Sequence, residues 1–420
     1  MSFQQGLSGL NSTSKNLNVI GNNIANANTF GSKASRAEFA DVYANAINGG
    51  GASAVGIGVS VAAVSQQFTQ GNIVTTESAL DLALNGNGFF QLDGGGSTLY
   101  TRNGQFQIDK LGNLTNAQGR SLLGYAADAS GTIIPSSITP IQLPTAGVAP
   151  AATTSIDIEM NLDAQHAVTA PSSGPAIDFN AVGTYNNATS LTVFDDKGQA
   201  VALTFYFQKA ATDTWNVYVR TPGGSILTDG TGAPQRVTQM VFNANGGSLS
   251  APTSTVSIDI PAITLPSGGT SLTIPGIALD LTSATQYGAA FSITDLSQDG
   301  YAPGQLTGVN IDASGVLKAQ YSNGQDKAAG QVVLASFRNP QGLQPLGGNA
   351  WSSSFASGDP VVGAPGQGNF GVLQSGALEE SNVDLTGELV AMITAQRSYQ
   401  ANAQTIRTED EVLQTLVNLR

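Results

Sequence analysis

Few side chains in this sequence are placed to do chemistry. His166 is the single histidine, in a Gln-His-Ala context with no carboxylate or serine motif beside it, and there is no cysteine. A triad, a thiol nucleophile or a thiolate metal site therefore lacks its parts. Asp195-Asp196 and Asp299-Gly300 invite comparison with calcium loops but lack the alternating acids and closing glutamate, so they read as turns. Gly86-Asn87-Gly88-Phe89-Phe90-Gln91 begins like a dinucleotide fingerprint, yet Gln91 replaces the third glycine and a strand follows where a helix is required. A hairpin turn accounts for it. Asn11, Asn113 and Asn187 each head an Asn-x-Ser/Thr triplet, as chance provides in an Asn- and Thr-rich chain. Two glycosidase-type carboxylates could meet from anywhere in a fold without leaving a motif. Trp215, Tyr218, Phe205 and Phe207 offer either an aromatic binding surface or a core face, and their alternation with polar residues favours the core. The reading is a protein without catalytic residues, metal or cofactor.

The elements that would have to position such chemistry point elsewhere. Only 11% of the 420 residues are charged and 50 are glycine, a mix suited to many short strands and turns. The net charge of −13 argues against a nucleic-acid or anionic-membrane partner, which need a basic face. No basic residue precedes Lys15 and no long apolar run occurs near the start, so neither a signal peptide nor membrane insertion is expected. Taken alone, this predicts a cytoplasmic protein.

Both chain ends predict amphipathic helices. Phe3, Leu7, Leu10, Ser14, Leu17, Gly21 and Ile24 recur at spacings of three and four, with Ile20 beside them. Leu385, Leu389, Met392, Gln396, Tyr399, Ala403, Ile406, Asp410, Leu413 and Val417 form a second seam, widened by Ile393, Leu416 and Leu419. The remaining face of the first helix is crowded with amides, among them Asn22, Asn23 and Asn26, where charge would ordinarily keep a helix soluble. Gln396, Arg397 and Asn402 supply the matching polar face at the other end. Periodicity leaves two readings open: an antiparallel pair capping one domain, or helices meant to be surrounded by other subunits.

The run Ser8-Gly9-Leu10, Leu17, Val19, Asn22-Asn23-Ile24-Ala25-Asn26, Thr29, Gly31, Lys33 and Arg36 resembles the N-terminal signature of the flagellar rod, hook and basal-body proteins. Asn382-Val383-Asp384-Leu385, Glu388-Leu389, Met392-Ile393, Ala395-Gln396-Arg397, Tyr399 and Ala401-Asn402 resemble its C-terminal counterpart. LDLALNGNGFFQL, YTRNGQF and LLGY look like inner-domain motifs of the same family. Ser32 departs from the pattern, which carries an aromatic residue just before the lysine, while Phe30 sits two places earlier.

Read with this resemblance, the expected fold is mainly β with long terminal helices paired as a coiled coil, enclosing two nested β domains of which the inner is split by the outer. The expected divisions are an N-terminal helix over 1–30, a connector over 31–71 with Gly49-Gly50-Gly51 and alternating Val55, Ile57, Val59 and Val61, and an inner β domain over 72–148. An inserted outer domain over 149–285 contains a meander from Thr189 to Arg220. The inner domain resumes over 286–371, and the C-terminal helix occupies 372–420. Pro135, Pro140, Pro144 and Pro150 thicken at the first inner–outer boundary.

The resemblance implies a structural subunit of the hook, polymerising into a curved tube that serves as a universal joint. Length and the inserted domain favour hook over rod. It also implies export by the flagellar type III apparatus without a cleaved signal, and as partners further copies of itself, the distal rod protein, the hook cap protein, the hook–filament junction protein and the hook-length control protein. Terminal helices with unburied stripes are expected to order only on assembly. The rivals are a distal rod subunit and a secreted β-rich adhesin with a self-contained coil.

Overall fold

Two helices bracket the chain, α1 (Ser2–Ala25) and α2 (Leu385–Asn418), and strands and turns fill the space between. The computed structural model describes residues 2–42, 58–128, 130–144, 146–171, 176–229, 231–245, 247–265 and 268–418. Gly49-Gly50-Gly51, Val55, Ile57 and Leu419 lie outside the described residues, as do the side chains of Leu416 and Val417.

The chain divides into two units. The first comprises Met1–Thr145, Thr307–Gln320 and Asp326–Arg420. Behind α1, β1 (Ser35–Val42) and β2 (Gly58–Gln66) form an antiparallel ribbon, Ser35 facing Gln66, with a register shift at Glu38/Phe39. Further on, strands from the two ends of the chain pair with one another. Ile73–Thr75 lies on Ala377–Glu379, Leu82–Asn85 on Val372–Ser375, and Phe89–Asp93 between Thr98–Thr101 and Leu334–Ser336. The inner β domain is thus discontinuous in sequence. Its core of Leu82, Leu84, Phe90, Leu92, Leu114, Leu122, Leu317 and Leu334 is fully buried, each residue contributing about 1.5–3 kcal/mol of transfer free energy.

One local expectation is corrected here. Asn85-Gly86-Asn87-Gly88 is a turn, but not of a hairpin, because the strands on its two sides belong to different sheets. Gly86 and Gly88 both have positive φ, and a Cβ on Gly86 would lie 2.8 Å from the Gly371 Cα. The glycines here redirect the chain past a neighbouring strand instead of folding it back on itself.

The second unit comprises Ala146–Leu306 and Tyr321–Gln325. The meander is present as Asn187–Phe194, Ala200–Ala211 and Thr214–Thr221, all antiparallel. Val201, Leu203, Phe205, Phe207 and Trp215 are buried in one large core with Ile156, Ile158, Met160 and Leu162 from a second sheet. Tyr218 is buried on the opposite face with Tyr206 and Ile177, so none of these four aromatics is free for a ligand. Ser292–Gln298, in the stretch expected to reopen the inner domain, pairs with Ser155–Asp163 of this unit. Its alternation fits either sheet, and only the partner strand decides between them.

Four turns share one construction. In Asp109 to Asn113, Asp128 to Thr132, Asp229 to Ala233 and Asp312 to Val316, the aspartate Oδ1 accepts the N–H groups two and four residues on. The fourth residue is glycine with positive φ in every case. The side chain supplies a local acceptor and glycine removes the steric penalty, so the turn is written in the sequence.

Candidate assembly surface on the terminal helices

The helices run antiparallel and meet through small residues. A Cβ on Gly9 would stand 2.8 Å from Asn402 Nδ2, and one on Gly6 3.0 Å from Ile406 Cγ1. Farther along α1, Asn23 Nδ2 donates to Glu388 Oε1 at 2.8 Å. Ala395 is buried on α2, and Ser12 and Ile20 on α1. The β1–β2 ribbon lies against α1: Val59 N donates to Ser8 Oγ and Ser12 Oγ to Val59 O, each at 3.3 Å. Gly9, Ser12, Phe39, Val59, Ala395 and Asn402 line a groove of about 620 Å³ between these three elements.

Most large apolar residues of the expected seam lie outside this contact. Leu7 is 44% exposed, Leu389 46%, Ile393 52% and Leu413 53%, and Leu385 and Tyr399 are also exposed. Leu10, Leu17, Ile24, Met392 and Ile406 are half-buried; of the stripe, Ile20 is buried and Ile406 meets the partner helix at Gly6. Val417 lies within α2, outside the described side chains. The contact within the chain uses glycine because it lets two backbones approach, and Leu7, Leu385, Leu389, Ile393, Tyr399 and Leu413 are left facing outward.

The polar set divides as well. Asn22, Gln396 and Arg397 are exposed. Asn26 is half-buried and its Nδ2 donates to the Asn22 carbonyl at 2.9 Å, closing the end of α1. Asn402 sits half-buried under Gly9. Asn23 is buried, not a surface amide: besides its bond to Glu388, it donates to Ser35 O at 2.8 Å and accepts from Ser35 N at 2.9 Å, holding the first residue of β1.

Below the helices lies a cluster that sequence reasoning missed. Lys33 Nζ stands 2.6 Å from Glu379 Oε1, and Arg102 Nη1 3.2 Å from Glu379 Oε2. Lys33 also donates to Thr69 O at 2.8 Å, and Gly71 N to Glu379 Oε1 at 3.0 Å. Burial pushes the Lys33 ammonium below its ordinary value, and the adjacent Glu379 opposes that shift. The Arg102 guanidinium is lowered for the same reason and lies 5.4 Å over the Phe89 ring. Asn382 completes the junction, accepting from Ala34 N and donating to Gln67 O, each at 2.8 Å. Ser32 is buried beside this cluster, and the Phe30 carbonyl accepts from Asn349 Nδ2 at 2.9 Å. Gly31 has φ +69, and a Cβ there would lie 2.4 Å from Asn103 N, so the backbone itself fills the space.

The chemical candidates have structural roles. Asp195 is buried and accepts from Lys197 N, Gln199 N and Leu272 N. Asp299 accepts from Thr154 N and Ser155 N. His166 is half-exposed and does have a nearby carboxylate, Asp163 at 3.8 Å, close along the chain. Among the described residues no group of three or more His, Cys, Asp or Glu could hold a metal, and no helix is long and apolar enough to cross a membrane.

Residues 3–33 match the flagella basal body rod protein family, 83–161 the flagellar hook protein FlgE/F/G D1 domain, 161–301 the flagellar basal body protein FlaE D2 domain, and 374–419 the flagellar basal body rod FlgEFG protein C-terminal family. The flagellar hook protein FlgE of Escherichia coli K12 is 42% identical over 425 residues, and that of Salmonella typhimurium LT2 41% over 428, each match covering 100% of both chains. The Borreliella burgdorferi hook protein is 32% identical over 457 residues, covering 100% of this chain and 99% of its own. Identity at this level along the whole of both chains, inserted domain included, establishes that the chain belongs to the flagellar hook protein FlgE family.

Proposed function

We propose that this hook subunit joins its neighbours through the apolar stripes on α1 and α2, in heterologous contacts that do not close and so build a curved helical tube. The family is structural, not enzymatic. The observation that carries the reading is the mismatch on α2: its contact with α1 uses Gly6 and Gly9, while Leu389, Ile393 and Leu413 stay in solvent. Apolar side chains at helical spacing on one face are the mark of a surface awaiting a partner.

In such a tube the terminal helices pack side by side and resist twist, while the β domains slide past axial neighbours as the tube bends. This makes a flexible universal joint that passes torque from rod to filament. The terminal helical domain, connector, split inner domain and inserted outer domain are the parts of that joint. The hook lies outside the cell, reached through the flagellar type III export apparatus without a cleaved signal. Its end contacts are with the distal rod protein, the cap protein, the hook–filament junction protein and the length-control protein.

Negative-stain electron microscopy of the full chain under salting-out conditions, beside a chain cut to Ser32–Glu380, tests this. Curved tubes from the full chain and none from the cut one are expected. Straight short rods would move the chain to a rod role. A full chain that stays monomeric on added hook fragments, with its helices protected from amide exchange, would overturn the reading.

A further inference from the structure

The stretch between Arg338 and Asp359 contains no Lys, Arg, Asp or Glu, in a chain of net charge −13. It folds back on itself. Gln344–Gly347 is the outermost strand of its sheet, exposed throughout, and pairs only with Ala350–Ser352. Leu343 and Trp351 point into the core, while Leu346 is 54% exposed. The turn that follows carries Phe355 at 106% exposure, the most exposed large apolar residue described.

That turn is rigidly held. Ser354 Oγ donates to Gly342 O at 2.6 Å and accepts from Ala356 N at 3.1 Å. Ser357 Oγ donates to Ser354 O at 2.8 Å, and Asn339 Nδ2 to Ala356 O at 3.0 Å. A Cβ on Gly342 would lie 2.5 Å from the Ala356 carbonyl carbon, so the turn is seated directly on backbone. A network that fixes both flanks of a phenylalanine and leaves its ring in water lowers the entropy cost of burying that ring against a partner.

We propose that residues 340–358 form a contact surface for a second copy of this chain, with Phe355 as its protruding anchor. The proposal rests on the polymeric reading above and concerns the β part of the subunit, not the helices. The polymeric reading supplies the occupant, and an uncharged surface suits it because it adds no repulsion between two copies that are each net −13. Pro345 in the edge strand removes a backbone donor, so the contact is made by side chains and not by adding a strand.

The test places the photoreactive residue p-benzoylphenylalanine at position 355 of the full chain, and in a parallel chain at position 389. Irradiated tubes are expected to give covalent dimers from both sites, and dilute monomer from neither. Dimers from 389 but none from 355 in intact tubes overturn the contact and leave the polymeric reading standing. If no tubes form and neither site cross-links, the polymeric reading fails and takes the proposal with it. Phe355→Ser is the second measurement. Because the ring touches solvent only, the urea midpoint of the monomer should not move, whereas the concentration needed for assembly should rise on the order of tenfold. An unchanged assembly concentration overturns the anchor.

Discussion

Lys33 and Glu379, separated by almost the whole chain, meet at 2.6 Å with both side chains fully shielded from solvent. With Arg102 on its other oxygen, Glu379 binds the segment leaving α1, the inner β domain and the strand leading to α2 into one node. Replacing Glu379 with Gln leaves two buried cations without a counter-charge. We expect a loss of about 3–5 kcal/mol in urea unfolding of the full chain. Lys33→Met should cost less, because Glu379 keeps Arg102 and the Gly71 amide.

Asn23→Ala removes the amide that joins α1, β1 and α2. The Ser35 backbone groups lose their partner, at a cost of about 1–3 kcal/mol. Amide exchange should speed up at Ser35 and along β1 while the second unit is unaffected. Uniform exchange changes across both units would show that Asn23 has no such local role.

Gly9→Leu cannot be accommodated without moving Asn402 or the α2 backbone, since the first added carbon already lies 2.8 Å from the Asn402 amide. Overpacking of this kind costs about 1–3 kcal/mol. The expected result is weakened α1–α2 pairing, read in assembled tubes as loss of exchange protection in α1, with a much smaller effect for Gly9→Ala, to which the Asn402 side chain can adjust.

Leu389→Ser combined with Ile393→Ser separates assembly from folding. Both side chains are exposed, so monomer stability should change by no more than about 1 kcal/mol for the pair. Tube formation should nevertheless be lost. A double variant that assembles at the wild-type concentration would remove α2's apolar stripe from the interface.

Acid should loosen the turns. The Asn113 side chain holds Asp109 below its ordinary value of 3.8, as Ser130 does Asp128 and Thr231 does Asp229, with backbone amides adding in the same direction. A folded value below the unfolded one contributes stability above pH 3.8, and that contribution is lost as pH falls through the lowered folded values. The Tm of the wild type should therefore drop below pH 3.8, and a triple variant with Asn at positions 109, 128 and 229 should lose less over the same range.

Much of the fold could be read directly because its signals are local. Period 3.6 marked α1 and α2, the alternation of Val201, Leu203, Phe205 and Phe207 marked a half-core strand, and each Asp-x-x-Gly run carried the acceptor and the left-handed glycine that make its turn. The strand partners were not legible. Leu82–Asn85 looks like half of a hairpin with its neighbour and instead pairs with Val372–Ser375, because a single short alternating stretch is compatible with many edges.

What the sequence determined by itself was the two terminal helices, the strands of the meander and the aspartate turns, the absence of cysteine chemistry and, through motifs at both ends, the family. Tertiary structure decided which helix face is internal. A helix can carry two usable stripes, one of large apolar residues and one of small ones, and periodicity ranks the large stripe first. Backbone proximity at Gly6 and Gly9 selects the small stripe for the contact within the chain, leaving Leu389 and Ile393 outside. The Lys33–Glu379–Arg102 node was equally out of reach: three charges distant in sequence become partners only when closure of the chain removes water from all of them at once.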